Sequence, residues 1–172
     1  MRTFLGLAAC LVLAAPSLTA DPLLTLKAPD RTLSLTLADL AGLPRTELTA
    51  VEPHAQTTHR YAGVRLHDLA TRLGVPAGRE LRGAAQQLAV LVRGSDGYAV
   101  LFSVAELDPA YGQTAALLSD REDGAPWSER HGPLRLIVPG EQFAARWVRN
   151  VVAIEVITVG PVVPRPPKPA SP

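Results

Sequence analysis

The chain contains a single cysteine, Cys10, and this residue lies inside an apolar N-terminal segment. The rest of the chain therefore has to fold without a disulfide bond, and it offers no thiolate for a zinc or iron–sulfur site. With 172 residues, 47% of them hydrophobic, the chain is long and apolar enough to form one domain around its own core.

Residues 1–20 have the pattern of an export signal. Arg2 supplies a positive charge, an apolar run follows, and small residues precede Asp21. We expect cleavage there, which removes Cys10 and gives a periplasmic or secreted protein with no membrane-spanning segment. Two alternatives stay open, an uncleaved anchor and lipidation of Cys10, although the apolar run is short for a membrane span.

The charge of the chain is nearly balanced, with 17 basic and 16 acidic residues. This balance excludes a strongly basic nucleic-acid binder. Aromatic residues make up 5% of the chain, which argues against a stacking surface for single-stranded nucleic acid. We therefore expect no nucleic-acid partner.

Residues 160–172 (GPVVPRPPKPASP) form a proline-rich tail. Proline at this density favours extended polyproline II and does not pack as helix or sheet. We predict a stiff, disordered tail, with docking to a protein partner as the alternative. The predicted organisation is a signal peptide at 1–20, one domain at 21–159 and the tail at 160–172.

Period-two alternation and turn signals predict a single strand-rich domain of the α+β class. Two hairpins are expected, one around Pro29-Asp30 and one around Asp96-Gly97. Residues 52–60 are polar and read as an exposed loop. The predicted strands are 23–28, 32–37, 46–51, 88–92, 98–102, 114–118, 134–138 and 148–159, and the predicted helical segments are 37–42, 64–73 and 104–107.

Arg135 is the most informative single residue, because it lies within the apolar run 134–138 (LRLIV). A buried arginine needs an anion or a carboxylate partner, so Arg135 predicts either an anion site or an internal salt bridge. Forked guanidinium groups grip phosphate or sulfate well, and two more arginines follow within fifteen residues. The candidate ligand-binding residues are His131, Arg135, Arg146 and Arg149. No metal site is predicted, because the four histidines lack a metal-ligand spacing.

Six ordered segments resemble the oxidoreductase molybdopterin-binding domain, which has the sulfite-oxidase-type fold: 61–69 (YAGVRLHDL), 96–98 (DGY), 103–107 (SVAEL), 123–127 (DGAPW), 131–140 (HGPLRLIVPG) and 146–151 (RWVRNV). The resemblance extends over about 35–157. It implies an α+β fold, a molybdopterin cofactor and redox chemistry by oxygen-atom transfer. It also implies that His131, Arg135, Arg146 and Arg149 lie near the polar groups of that cofactor.

One departure from the family pattern concerns the metal. By this resemblance, larger members ligate molybdenum through a cysteine after the strand that matches 46–51, whereas this chain has Glu52 there. Molybdopterin remains the implied cofactor, and the missing cysteine argues against molybdenum. The main hypothesis is an exported, non-catalytic relative that binds a small anionic or pterin-like ligand. The alternatives are a periplasmic molybdopterin-dependent oxidoreductase without a cysteine ligand, and a structural domain acting through its tail.

Overall fold

Ten strands and three short α-helices make up the part of the chain that the computed structural model describes, residues 21–112 and 114–160. The predicted signal segment and residues 161–172 of the predicted tail lie outside it. The strands are β1 (Leu24–Ala28), β2 (Arg31–Leu35), β3 (Thr46–Glu52), β4 (Thr57–Arg65), β5 (Leu88–Gly94), β6 (Ala99–Ser103), β7 (Leu117–Glu122), β8 (Ala125–Pro126), β9 (Arg135–Ile137) and β10 (Val151–Thr158). The helices are α1 (Leu37–Ala41), α2 (Leu66–Arg72) and α3 (Val104–Leu107), with 3₁₀ turns at Gly78–Glu80, Gly83–Gln87 and Ala144–Arg146. The predicted strand-rich α+β class is confirmed.

The strands form two five-stranded sheets. Sheet A has the order β2-β1-β10-β5-β6, in which β1 and β10 run parallel and the other neighbours are antiparallel. It contains both predicted hairpins, β1–β2 and β5–β6. Sheet B has the order β3-β4-β7, and β8 and β9 share the other edge of β7. The hairpin turns are local signals, which is why the sequence predicted these pairings well.

Two of the three α-helices begin with the reciprocal hydrogen bonds of a capping box. The Thr36 hydroxyl accepts from the Asp39 backbone before α1, and the Ser103 hydroxyl accepts from the Glu106 backbone before α3. Each acidic side chain accepts in return from the backbone of the capping residue, so both helix starts are satisfied locally. The box at Ser103 is the helix start that the sequence predicts.

The segment predicted as an exposed loop, 52–60, is largely a strand. Glu52 ends β3, a tight turn follows, and β4 begins at Thr57. Strand β4 pairs with β3 on one side and with β7 on the other, and these pairings also carry Val64 and Arg65, which the sequence placed in a helix. The sequence did not predict this strand because its residues are polar. One of its partners, β7, is far away in the chain, and the turn to the other, β3, carries no hairpin signal. The predicted strand at 114–118 is likewise shifted to Leu117–Glu122.

Strand β9 lies where the two sheets meet. It pairs with β7 of sheet B, and the backbone of Leu134, just before it, accepts a hydrogen bond from Val151 of sheet A at 2.9 Å. The backbone N–H of Leu136 donates to Val148 at 2.8 Å. The inner faces of the sheets and helix α2 bury one continuous apolar cluster around this strand. None of the helices in the described part of the chain has the length and apolarity needed to cross a membrane.

Candidate anion-binding site

Strand β9 carries Arg135 into the interior. Its Cα is paired with that of Ser119 on β7, and the whole residue is only 4% exposed. Arg135, Ser119 and Asp108 are the buried polar or charged residues of the described part of the chain. A guanidinium carries five donors, so burial at this depth demands acceptors.

Two indole rings flank the Arg135 guanidinium, and a third aromatic ring packs against both of them. The Cζ of Arg135 lies 5.2 Å from the ring centroid of Trp127 and 5.4 Å from that of Trp147, within cation–π range. Tyr61 stacks on Trp127 at 5.8 Å and meets Trp147 edge-on at 5.7 Å. Both indole N–H groups are already bonded to backbone carbonyls, of Ser119 and Val138, so the rings are fixed in place. We call Arg135 with these three rings the arginine cage.

Two buried polar atoms of the arginine cage have no hydrogen-bond partner among the described residues. They are Nε of Arg135 and the hydroxyl of Tyr61. The contact between Arg135 and Glu52 does not satisfy the guanidinium, because Nη2 and Oε1 are 3.7 Å apart, beyond hydrogen-bonding distance. Orphaned buried donors are rare in native proteins, and they mark places where a ligand or ordered water supplies the partner.

The charges around the cage shift its titratable groups. Burial, and then the charge of Arg149, lowers the pKa of Arg135. Burial, and then the charges of Arg135 and Arg149, lowers the pKa of His131. Burial, and then the charge of Glu122, raises the pKa of Tyr61, so its hydroxyl stays protonated at neutral pH. An anion placed at the cage would relieve the mutual repulsion of the cationic groups.

A small pocket of about 220 Å³ opens onto the cage. Arg135, Trp147 and Arg149 line it together with Asp96 and Tyr98 from the β5–β6 turn. The Asp96 carboxylate accepts from the Tyr98 backbone at 2.9 Å, and the Tyr98 hydroxyl donates to the backbone of Ala145 at 2.6 Å. These bonds hold the turn against the loop that follows β9. The pocket therefore combines two guanidinium groups with one carboxylate at its mouth.

The predicted site residues separate into two groups. Arg135 and Arg149 line one pocket, and the charges of both lower the pKa of His131. Arg146 lies against different partners: its Nε donates to Glu141 at 2.5 Å, and its Cζ is 4.6 Å from the ring of Phe102.

A tight turn brings His131 to the cage. The backbone N–H of His131 donates to Ser128 at 2.9 Å, and the ring of His131 meets Trp127 edge-on at 6.2 Å. Gly132 follows, and a Cβ there would come within 2.4 Å of the Trp127 Cβ. Only glycine permits this close approach between the turn and the cage.

Tyr61 and Trp127 also belong to the site, although the sequence did not assign a ligand-binding role to them. Tyr61 is fully buried on the face of β4 that His59 and Thr57 share, so period-two alternation along 57–61 was the available signal. Trp127 directly follows β8 and carried no local signal of its contact with Arg135.

A larger cavity, of about 470 Å³, lies elsewhere, against helix α2. Val64, His67, Asp68 and Arg72 are among its lining residues, and none of the predicted site residues is. Within residues 21–112 and 114–160 there is no group of three histidine, cysteine or acidic side chains placed to hold a metal ion. Because the cage contains a buried cation whose Nε has no hydrogen-bond partner among the described residues, the cage is the candidate anion-binding site, and the larger cavity is not.

Comparison with known proteins identifies the fold. The chain is similar to the sulfane dehydrogenase SoxCD from Paracoccus pantotrophus, with 21% sequence identity and a TM-score of 0.57. The match covers 77% of this chain and 37% of that one, so the chain spans well under half the length of this relative. No curated protein matches the sequence. The family model of the oxidoreductase molybdopterin binding domain matches residues 18–160, and the chain belongs to that family.

Proposed function

We propose that this domain binds a small anionic or pterin-like ligand at the arginine cage and acts without a metal ligated by a cysteine. The observation that carries the proposal is the buried guanidinium of Arg135, whose Nε has no partner among the described residues. Even an uncharged polar group that is buried without a hydrogen bond costs about 2–7 kcal/mol, and a buried charge costs more. An anionic oxygen delivered through the adjoining pocket would satisfy this donor.

The residues of the cage fit one part of a molybdopterin cofactor and not the other. Arg135, Arg149 and His131 suit its anionic groups. For the metal, residues 21–160 contain no cysteine, and the described ones contain no three-donor cluster. The donor set thus supports pterin or anion binding and does not support a metal held by thiolate.

The second candidate function is molybdopterin-dependent oxygen-atom transfer, which membership of the family favours. The cofactor, when bound, would supply the redox chemistry. In this chain Arg135 and Arg149 would bind its anionic groups, and Glu52 at the end of β3 presents a carboxylate oxygen 3.7 Å from Arg135. A carboxylate is a legitimate ligand for hard metals, although it differs from a thiolate in electronic effect.

Elemental analysis distinguishes the two candidates. The full chain would be purified after expression in a host that makes molybdopterin, and its molybdenum content and pterin fluorescence would be measured. Protein without molybdenum that still gains thermal stability from anions, in a manner lost in Arg135→Ala, supports the binding function. Molybdenum near one per chain, lost in Arg135→Ala, supports the oxidoreductase instead.

We also propose that the protein works outside the cytoplasm and that its proline-rich tail contacts a protein partner. The support is the signal-like pattern of residues 1–20 and the proline content of residues 160–172. Fractionation of cells expressing the full chain tests the first point, with the mature N-terminus expected at Asp21. Deletion of 161–172 tests the second: it is expected to abolish partner capture without changing the thermal stability of the domain.

A further inference from the structure

The carboxylate of Glu52 is held in a fixed orientation beside the arginine cage. Its Oε2 accepts the backbone N–H groups of His54 at 2.9 Å and Ala55 at 2.6 Å, within the turn that follows β3. These two bonds leave Oε1 facing Nη2 of Arg135 at 3.7 Å. Among the described residues no hydrogen bond reaches Oε1, so a strong acceptor is presented next to the orphaned donors.

Arg135 lines the adjoining pocket, whereas Glu52 and Tyr61 lie behind it. A ligand that reaches from the pocket past the guanidinium of Arg135 would meet donors and an acceptor together. The donors are Nε of Arg135 and the hydroxyl of Tyr61, both unpartnered and buried, and the acceptor is Oε1 of Glu52. The side chain of Glu52 is 15% exposed, so its negative charge is only partly screened by water. An oxyanion with no proton would place oxygen against oxygen at this point.

We infer that Glu52 makes the cage selective for anions that carry their own hydrogen-bond donor, and this inference rests on the proposed binding function. The simplest such anion is hydrogen phosphate, which can accept from Arg135 and donate to Glu52. A pterin carboxylate has the same combination, through its carboxylate and its ring N–H groups. Sulfate offers acceptors only, and Glu52 disfavours it.

The charges surrounding the cage agree with this selectivity. Arg135 and Arg149 supply positive charge, and Glu52, Glu122 and Asp96 supply negative charge. Acceptors placed among the donors disfavour anions that carry no hydrogen-bond donor, and they do not strengthen the binding of every anion.

The test is calorimetric titration of the full chain at neutral pH with sulfate, inorganic phosphate and pterin-6-carboxylate. For the wild type we expect a donor-bearing anion to bind at least about tenfold more tightly than sulfate, the usual scale for a charged hydrogen bond. Whichever of phosphate and pterin-6-carboxylate binds more tightly shows which kind of ligand supplies the hydrogen-bond donor. The two tryptophans of the chain both flank Arg135, so quenching of their fluorescence by phosphate or sulfate locates binding at the cage.

Two variants isolate the role of Glu52. Glu52→Gln keeps the shape and an acceptor for the two backbone N–H groups but removes the charge, and we expect it to reduce the preference to within about threefold. Glu155→Gln is the matched control, because Glu155 lies 3.6 Å from Nε of Arg93, outside the cage. This control is expected to retain the wild-type preference.

The outcomes separate the inference from the function on which it rests. Equal binding of sulfate and the donor-bearing anions by the wild type, lost in Arg135→Ala, would overturn the role of Glu52 and leave anion binding intact. An unchanged preference in Glu52→Gln would overturn it as well. If none of the three anions binds in an Arg135-dependent manner, the proposed binding function itself fails. The wild-type comparison alone decides the question if Glu52→Gln does not fold.

Discussion

Glu52 and Arg135 face each other across 3.7 Å, the first at the end of β3 and the second at the start of β9. Glu52 follows the strand after which the family resemblance leads us to expect a metal-binding cysteine. The two charges are too far apart for a hydrogen bond, and both sit on strands of sheet B. This arrangement is suited to recognising a ligand that fits between or beside them, and less suited to stabilising the fold.

Arg135→Met is expected to separate binding from stability. Buried ion pairs with imperfect geometry are often replaced by apolar side chains at no loss, because the desolvation penalty disappears. We expect the free energy of unfolding in anion-free buffer to stay the same or rise by about 1 kcal/mol, while the anion-induced change in tryptophan fluorescence is lost. Urea unfolding and fluorescence titration measure the two effects.

The control for this experiment is Leu136→Ala on the same strand. Leu136 is fully buried, so its truncation is expected to lower the free energy of unfolding by about 2–5 kcal/mol. A comparable loss in Arg135→Met would mean that Arg135 stabilises the fold, and the argument for a binding role would lose its basis.

Tyr61→Phe removes a buried hydroxyl that has no partner among the described residues. Because nothing is left unbonded by this change, we expect the free energy of unfolding to stay within about 1 kcal/mol of the wild-type value or to increase. Ser119→Ala is the contrasting variant, since the Ser119 hydroxyl bonds the backbone of Ala62 and Arg121 at 3.0 and 2.8 Å. It should lose about 1–3 kcal/mol in urea unfolding. A larger loss in Tyr61→Phe than in Ser119→Ala would contradict this.

Local signals account for what the sequence predicted correctly. The β5–β6 hairpin follows from Asp96-Gly97, and the start of α3 follows from the pairing of Ser103 with Glu106. The interior position of Arg135 follows from the apolar residues on both sides of it. Each of these rests on residues close together in the chain.

Non-local pairing accounts for what the sequence did not predict. The polar segment beginning at Thr57 becomes a strand because β3 and β7 satisfy its backbone on both sides. That register turns Tyr61 inward, next to Trp127 and Trp147, a contact between segments far apart in the chain. The contact between Glu52 and Arg135 depends on the same register. Hydrophobic periodicity and strand propensity alone carry no information about such contacts.

Asp108 gives the stability a defined pH dependence. The backbone N–H groups of Gly78 at 2.6 Å and Ala110 at 2.8 Å lower the pKa of its carboxyl. A lowered pKa means that the stabilisation is present above the unfolded value of about 3.9 and is lost as the pH falls through the folded value. We therefore expect Asp108→Asn to be less stable than the wild type at pH 6, and the difference to shrink as the pH falls below about 4.

Urea unfolding at a series of pH values between 6 and 2 measures this difference. The exposed Glu80 provides a comparison, and Glu80→Gln should follow the wild-type curve. A constant gap between wild type and Asp108→Asn across the series would show that the carboxylate charge does not matter to these two hydrogen bonds.

Arg146 and Arg149 are expected to respond differently to truncation, although both follow β9 closely. The guanidinium of Arg146 is bonded to Glu141 and lies 3.6 Å from Glu106, so it ties the 3₁₀ turn before Trp147 to helix α3. We expect Arg146→Ala to lower the free energy of unfolding by about 1 kcal/mol and to leave the Kd for phosphate within about twofold of the wild type.

Arg149, which is exposed and lines the pocket, should behave in the opposite way: Arg149→Ala keeps the stability and weakens phosphate binding about tenfold. Urea unfolding and phosphate titration of both variants provide the measurement. Equal weakening of phosphate binding in the two would mean that Arg146 leaves its carboxylate partners to join the ligand, as the sequence pattern of closely spaced arginines predicts.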